Sequence, residues 1–206
     1  MEETLRKKLI DIVKRDCNYL GDYIIDDKSL ALELLKINGN VYYNLSDELK
    51  NDREIVLEAV KSTGRVFAHI PDELKHDEEI ILASINCNHY VEGPKEAFRY
   101  VPVDVKNYKE LAMDIVAENK ENIEYVSAEC SDYDEIACNA LDDVYCRFNF
   151  TDYDHASLYD SDVSERLERE YMRLLSMIPS EKQPAIEEQL ASKHSDLMEE
   201  VKSRVM

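Results

Sequence analysis

Residues 52–77 read DREIVLEAVKSTGRVFAHIPDELKHD. After Asp52 the apolar residues Ile55, Val56, Ala59 and Val60 fall three and four apart, which gathers them on one face of a helix whose first turn an acid can cap. Gly64 follows where a left-handed residue would end that helix, and Pro71 with acids behind it starts a second, shorter turn. The stretch predicts a helix, a tight turn and a short helix.

Shifted by 25 residues, the same features recur. Asp27, Asp52 and Asp77 coincide, as do Gly39 with Gly64, Leu45 with Ile70, Glu48 with Glu73 and Leu49 with Leu74. The unit opening at Asp77 carries Ile80, Ile81, Leu82 and Ile85, gains about six residues around Glu92 to Phe98, and regains phase at Val101-Pro102. A further unit runs from Tyr108 and another opens at Tyr133, with Cys130 in the place of Leu74 and Cys138 in that of Leu57. Residues 2–26 fit more weakly as a leading unit through Leu5, Leu9, Leu20 and Ile24. One unit cannot bury its apolar face alone. The expected fold is therefore all-α, with units near 2–26, 27–51, 52–76, 77–107, 108–132 and 133–157 stacked as a short α-solenoid, the alternative being a helical globule without such stacking.

Residues 158–206 read as two C-terminal helices. The first, Ser161 to Ile178, puts Val163, Leu167, Tyr171, Leu174 and Ile178 on one side. A break from Pro179 to Pro184 precedes the second, Ala185 to Val201, with Ile186, Leu190, Leu197 and Val201. This pair would cap the open end of the array or join a second copy in a homodimer.

The pattern Asp-x-Glu-Ile-Val-Leu-x-Ala-Val, then Gly, then Ile-Pro-x-Glu-Leu-Lys-x-Asp, between Asp52 and Asp77, resembles tandem helical repeats catalogued only as a domain of unknown function. Such repeats are found in proteins of intracellular bacteria, protists and large viruses. The likeness is strongest over residues 27–90, weakens to about 150 and ends there. It implies a helical interaction module and brings no catalytic residue with it.

The 206 residues include 45 acids against 25 Lys and Arg, a net charge of −20. Such a chain repels phosphate-rich ligands, so neither nucleic acid nor an anionic membrane is an expected direct partner. The charge is uneven: residues 121–165 hold 13 acids and one base. There Tyr133, Tyr145, Tyr153 and Tyr159 stand among Asp132, Asp134, Glu135, Asp142, Asp143, Asp152, Asp154, Asp160 and Asp162. Carboxylates accept guanidinium forks and tyrosine faces attract cations, so these residues form the expected binding surface for a basic protein. The most specific form of that reading is an inhibitor of a nucleic-acid-binding protein, acting by charge mimicry of nucleic acid. A solvated face that keeps the protein soluble is the plainer alternative, and a peptide or helix held in an apolar solenoid groove is the competing mode of binding.

The cysteines, Cys17, Cys87, Cys130, Cys138 and Cys146, are odd in number and scattered, unlike a disulfide framework. A reducing cytoplasm, the protein's own or a host cell's, is the expected location. No pair shows the close spacing of zinc ligands, and the stretch from Asp152 to Asp162 lacks the central Gly and terminal Glu of a calcium loop. Neither a metal nor a cofactor is expected, and the thiols read as core. His69, His76, His89, His155 and His194 lie in no catalytic motif, and Cys87 with His89, two residues apart, seldom converge. Gly21, Gly39, Gly64 and Gly93 are too dispersed for a phosphate loop. The chain reads as a protein-binding protein rather than an enzyme. Its N-terminus, MEETLRKKLIDIV, has no signal-peptide character, and no apolar run approaches membrane-spanning length.

Overall fold

A computed structural model describes residues 3–87, 93–154 and 161–195, with side chains described except at 93–95, 148–154 and 161–164. The chain divides into two units, Met1–Val105 and Lys106–Met206, both helical. Among the described residues, extended pairing is confined to one isolated bridge between Ile25 and Leu45, and no helix is long and apolar enough to cross a membrane.

The first unit contains α1 (Glu3–Arg15), α2 (Lys28–Leu35), α3 (Asp47–Lys50), α4 (Arg53–Ser62), α5 (Glu78–Ile85) and α6 (Gly93–Phe98), separated in places by 3-10 turns at Cys17–Leu20, Gly39–Asn44, Gly64–His69 and Asp72–His76. Helices α2, α4 and α5 begin alike. Asp27, Asp52 and Asp77 stand in extended backbone, and their carboxylates accept from the amides of Leu30 (2.9 Å), Ile55 (3.3 Å) and Ile80 (3.2 Å), filling the role of helix caps. Behind each cap the apolar face is buried: Leu30, Ala31, Leu34 and Leu35 on α2, Ile55, Val56, Ala59 and Val60 on α4, and Ile80 and Ile81 on α5. Tyr42 from the first long turn and Phe67 from the second are the largest side chains to join them in the core, with Phe98 of α6. Each aliphatic side chain of this kind contributes about 1.5–3 kcal/mol on burial.

The two glycines of this pattern act differently from expectation. Neither Gly39 nor Gly64 has the left-handed backbone that would end a helix; among the described glycines only Gly21 does, with φ 54°. Both begin 3-10 turns instead. At Gly39 a Cβ would lie 2.8 Å from the Ala59 carbonyl oxygen and 2.9 Å from Thr63 Oγ1, so the residue is small because its turn lies directly on α4. Gly64 uses its amide, which donates to Cys87 Sγ at 3.1 Å.

Ion pairs join successive helices. Lys28, the first residue of α2, reaches Asp52 (2.8 Å) and Glu54 (2.9 Å) at the start of α4. Arg53, the first residue of α4, reaches Asp77 and Glu79 at the start of α5, both at 2.7 Å. A cation at a helix start opposes the helix dipole, but here it lies between its own helix and the carboxylates of the next. Lys28 and Arg53 are raised above their ordinary values chiefly by these hydrogen bonds, which also hold Asp52 and Asp77 below the usual carboxylate range.

The second unit comprises α7 (Tyr108–Glu118), a 3-10 turn at Lys120–Tyr125, α8 (Tyr133–Asp154), α9 (Ser161–Ser176) and α10 (Gln183–Lys193). The buried face of α7 is fastened to its turn by Asn122, which donates to the Ile115 carbonyl at 2.6 Å, and the Tyr108 hydroxyl accepts from the Ser127 amide at 2.9 Å. Residues 133–154 form one continuous helix where the repeat pattern predicts a turn; residues 133–157 contain neither glycine nor proline to break it. Both α9 and α10 pack on α8, burying Leu167, Tyr171, Leu174, Ile178, Ile186 and Leu190 as the periodicity predicts. Val163 has no described side chain, and Leu197 and Val201 lie outside the described residues. Pro184 does not belong to the break; it sits in the first turn of α10, where a missing amide hydrogen is harmless. The Gln183 side-chain amide donates to the Leu175 and Ile178 carbonyls at 3.0 and 2.9 Å, closing the corner after α9.

Candidate functional site on α8

Of the residues expected to meet a partner, six with described side chains lie on α8 and a seventh, Asp132, just before it, and most are already engaged inside the unit. Asp132, just before the helix, pairs with Lys109 at 3.3 Å, and Glu135 takes the same ammonium at 2.6 Å. Asp134 pairs with Lys182 at 2.9 Å. Asp143 holds Lys120 at 2.7 Å and Arg147 at 2.9 Å, and these cations, Lys120 first, keep it below the carboxylate range. Most of these cations come from outside residues 121–165, so the charge of that window overstates the charge of the surface it forms.

Tyr133 corrects the expectation outright. It is 1% exposed, and burial pushes its phenol up to about 12. Its ring does attract a cation, but an internal one: Lys182 Nζ lies 5.0 Å from the ring centroid. A tyrosine with this burial cannot also face a partner. Asp152, Tyr153, Asp154 and Asp162 lie in helices without described side chains, and Tyr159 and Asp160 lie outside the described residues. His89 and His155 lie outside them too.

The remaining two expected residues, Asp142 and Tyr145, belong to a cluster that the sequence does not announce. Asp142 and Cys146, one turn apart on α8, converge on His194, the residue that ends α10. His194 Nε2 lies 2.7 Å from Asp142 Oδ1 and 3.3 Å from Cys146 Sγ; Nδ1 is 3.6 Å from the same sulfur. Tyr145 stacks beside the imidazole with ring centroids 6.1 Å apart and tilts against Tyr171 at 6.0 Å. Lys193 Nζ sits 3.1 Å from the other oxygen of Asp142. Burial opposes ionisation of Asp142, yet the hydrogen bonds from His194 and Lys193 hold it below the carboxylate range. Burial, then the Asp142 carboxylate, pushes the Cys146 thiol up.

Cys17, Cys87, Cys130 and Cys138 are buried thiols, as expected, and Cys146 is the partly accessible one. The spacing of Asp142 and Cys146, four residues apart on a predicted helix, is the one signal in the sequence that they share a face. Nothing in local spacing brings in His194, 48 residues beyond Cys146.

Residues 27–75, within the first unit, are similar to a family described as Domain of unknown function (DUF4116). No curated protein and no solved structure matches the chain.

Proposed function

We propose that this chain is a non-enzymatic, cytoplasmic protein-binding protein, built of stacked helical repeats in solenoid fashion with α9 and α10 covering the last, and that it engages a basic partner. The observation that carries the reading is the charge: 45 acids face 25 cationic side chains, so pairing every base with one acid would still leave 20 carboxylates in excess. The pairs on α8 are themselves open to exchange. Asp143 and Glu135 keep side-chain exposures of 62% and 56%, and an exposed ion pair contributes only about 0–1 kcal/mol. An incoming guanidinium can replace a lysine there with a bidentate contact. The narrower form, an inhibitor that takes the place of nucleic acid on a basic protein, follows if such carboxylates line up against phosphate-binding arginines.

Retention on an immobilised histone, eluted with rising salt and challenged with duplex DNA, tests the proposal. Release at moderate salt, displacement by DNA and weaker retention of a Glu135→Lys, Asp143→Lys double variant are expected; retention indifferent to all three sinks it. A second reading, an apolar peptide held by the first unit, is favoured by the cleft of about 270 Å³ between Tyr43, Arg65, His69, Glu96 and Tyr100. Tyr43 meets His69 edge to face at 5.2 Å there. Binding of that kind would survive high salt and fail in Tyr43→Ala.

A further inference from the structure

We propose that Asp142, Cys146 and His194 form a binding site for one zinc-class transition-metal ion. The three residues offer one oxygen, one sulfur and one nitrogen, all within 4.8 Å of one another, from the middle of α8 and the end of α10. This is a mixed set suited to borderline-soft divalent ions, unlike a surface group of carboxylates.

Distances fit the assignment. Bond lengths of about 2.3 Å to sulfur and about 2.0–2.2 Å to nitrogen and oxygen place tetrahedral ligand atoms about 3.3–3.6 Å apart. The Sγ to Nε2 separation of 3.3 Å lies in that range, although Sγ, also 3.6 Å from Nδ1, stands beside the ring, and the imidazole has to turn to bring Nε2 and the sulfur onto one ion. The Nε2 to Oδ1 separation of 2.7 Å has to open by about 0.6 Å, a small change for a carboxylate that is 31% exposed.

If Nε2 carries its proton, it donates to Asp142, and the bare Nδ1 can accept from the Cys146 thiol at 3.6 Å. If Nε2 is bare, it can accept from the thiol but then meets the carboxylate lone pair to lone pair. A cation among the three atoms satisfies all of them at once. On binding, the Cys146 thiol loses its proton to solvent and a proton on Nε2 moves to Nδ1, or to solvent where both nitrogens carry one, so the bound set is thiolate, neutral imidazole and carboxylate.

The surroundings orient the donors. Lys193 holds Asp142 through Oδ2 at 3.1 Å, leaving Oδ1 for the ion, and the ring of Tyr145 lies along the imidazole. Lys193 also brings a positive charge near the site. It is half exposed, so it can turn into solvent when the ion enters. Three protein ligands leave a fourth position for water or for a donor from a partner. The ion would tie the end of α10 to α8.

The experiment is a titration of the metal-free chain with Co²⁺. One equivalent should produce the thiolate-to-cobalt charge-transfer band and the strong visible bands of a tetrahedral ion, and Zn²⁺ should bleach them. The signal should vanish in Cys146→Ser and in His194→Gln and persist in Cys138→Ser, whose sulfur instead donates to Gln189 Oε1 at 3.2 Å. A wild-type chain with no charge-transfer band overturns the proposal, as does a band that survives Cys146→Ser. X-ray absorption at the zinc edge of the wild-type protein tests the ligand set without any substitution. One sulfur per zinc with nitrogen and oxygen neighbours is expected; no sulfur, or more than one, overturns the assignment.

Discussion

The carboxylates of the first unit are held at one sequence distance, whereas those of α8 are held by the same chemistry at two. In the first unit Lys28 takes Asp52 and Arg53 takes Asp77, each 24 residues on. Around α8 the spacing is again 23 from Lys109 to Asp132 and from Lys120 to Asp143, but 48 from Asp134 to Lys182 and 52 from Asp142 to His194. A constant offset is visible to anyone who lays the chain against itself. Contacts made by packing the chain beyond α9 back onto α8 have no such offset, so Asp134 and Asp142 read as bare negative surface.

Substitutions can break this contrast in order of expected size. Tyr133→Ala should behave like Phe67→Ala, each losing about 3–5 kcal/mol in urea denaturation, because both rings are fully buried. A Tyr133→Ala chain of unchanged stability would return that residue to the surface and reopen the binding role expected of it. Gly39→Ala is next, at about 1–3 kcal/mol of overpacking, since the new methyl meets the backbone of α4. A neutral result there would mean that the turn can lift away from α4. Asp52→Ala removes a cap and should lose about 0.5–2 kcal/mol, whereas Asp52→Asn keeps a capping side chain and should lose less.

The smallest effect is on pH dependence. Asp52, Asp77, Asp142 and Asp143 are all held below the usual carboxylate range in the folded chain. Their contribution is therefore complete above the unfolded carboxylate value, about 3.9, and is lost as pH falls through the lower folded values. Denaturation midpoints measured from neutral pH down to about 3 should drop more steeply for the wild type than for an Asp52→Asn, Asp77→Asn variant. Equal slopes would mean that these pairs are too exposed to matter.

Much of the first unit is legible because local signals agree there. Asp52 as cap and Ile55, Val56, Ala59 and Val60 as one buried face need only the helical period and a short acidic side chain. Gly39 shows the limit. Its position stands out, but the reason for it is a neighbour 20 residues away in sequence rather than its own backbone angle. Tyr133 misleads for the same cause: an aromatic among acids has the composition of an interface, and only tertiary packing reveals that Lys182 is the cation on its ring. The cluster at His194 is the extreme case, since one of its three residues comes from the end of another helix.

The ion pairs of the first unit also have a direction. Helix α2 offers a cation forward to α4 and α4 offers one to α5, so the contact is head to tail and does not close on itself. Contacts of that sort can be extended without limit, between copies as well as within one, and are a route to filaments. At the corresponding place on α5 the chain carries Glu78 instead of Lys28 or Arg53. An acid there interrupts the run of cations, which resumes at Lys109, the second residue of α7, on Asp132 and Glu135.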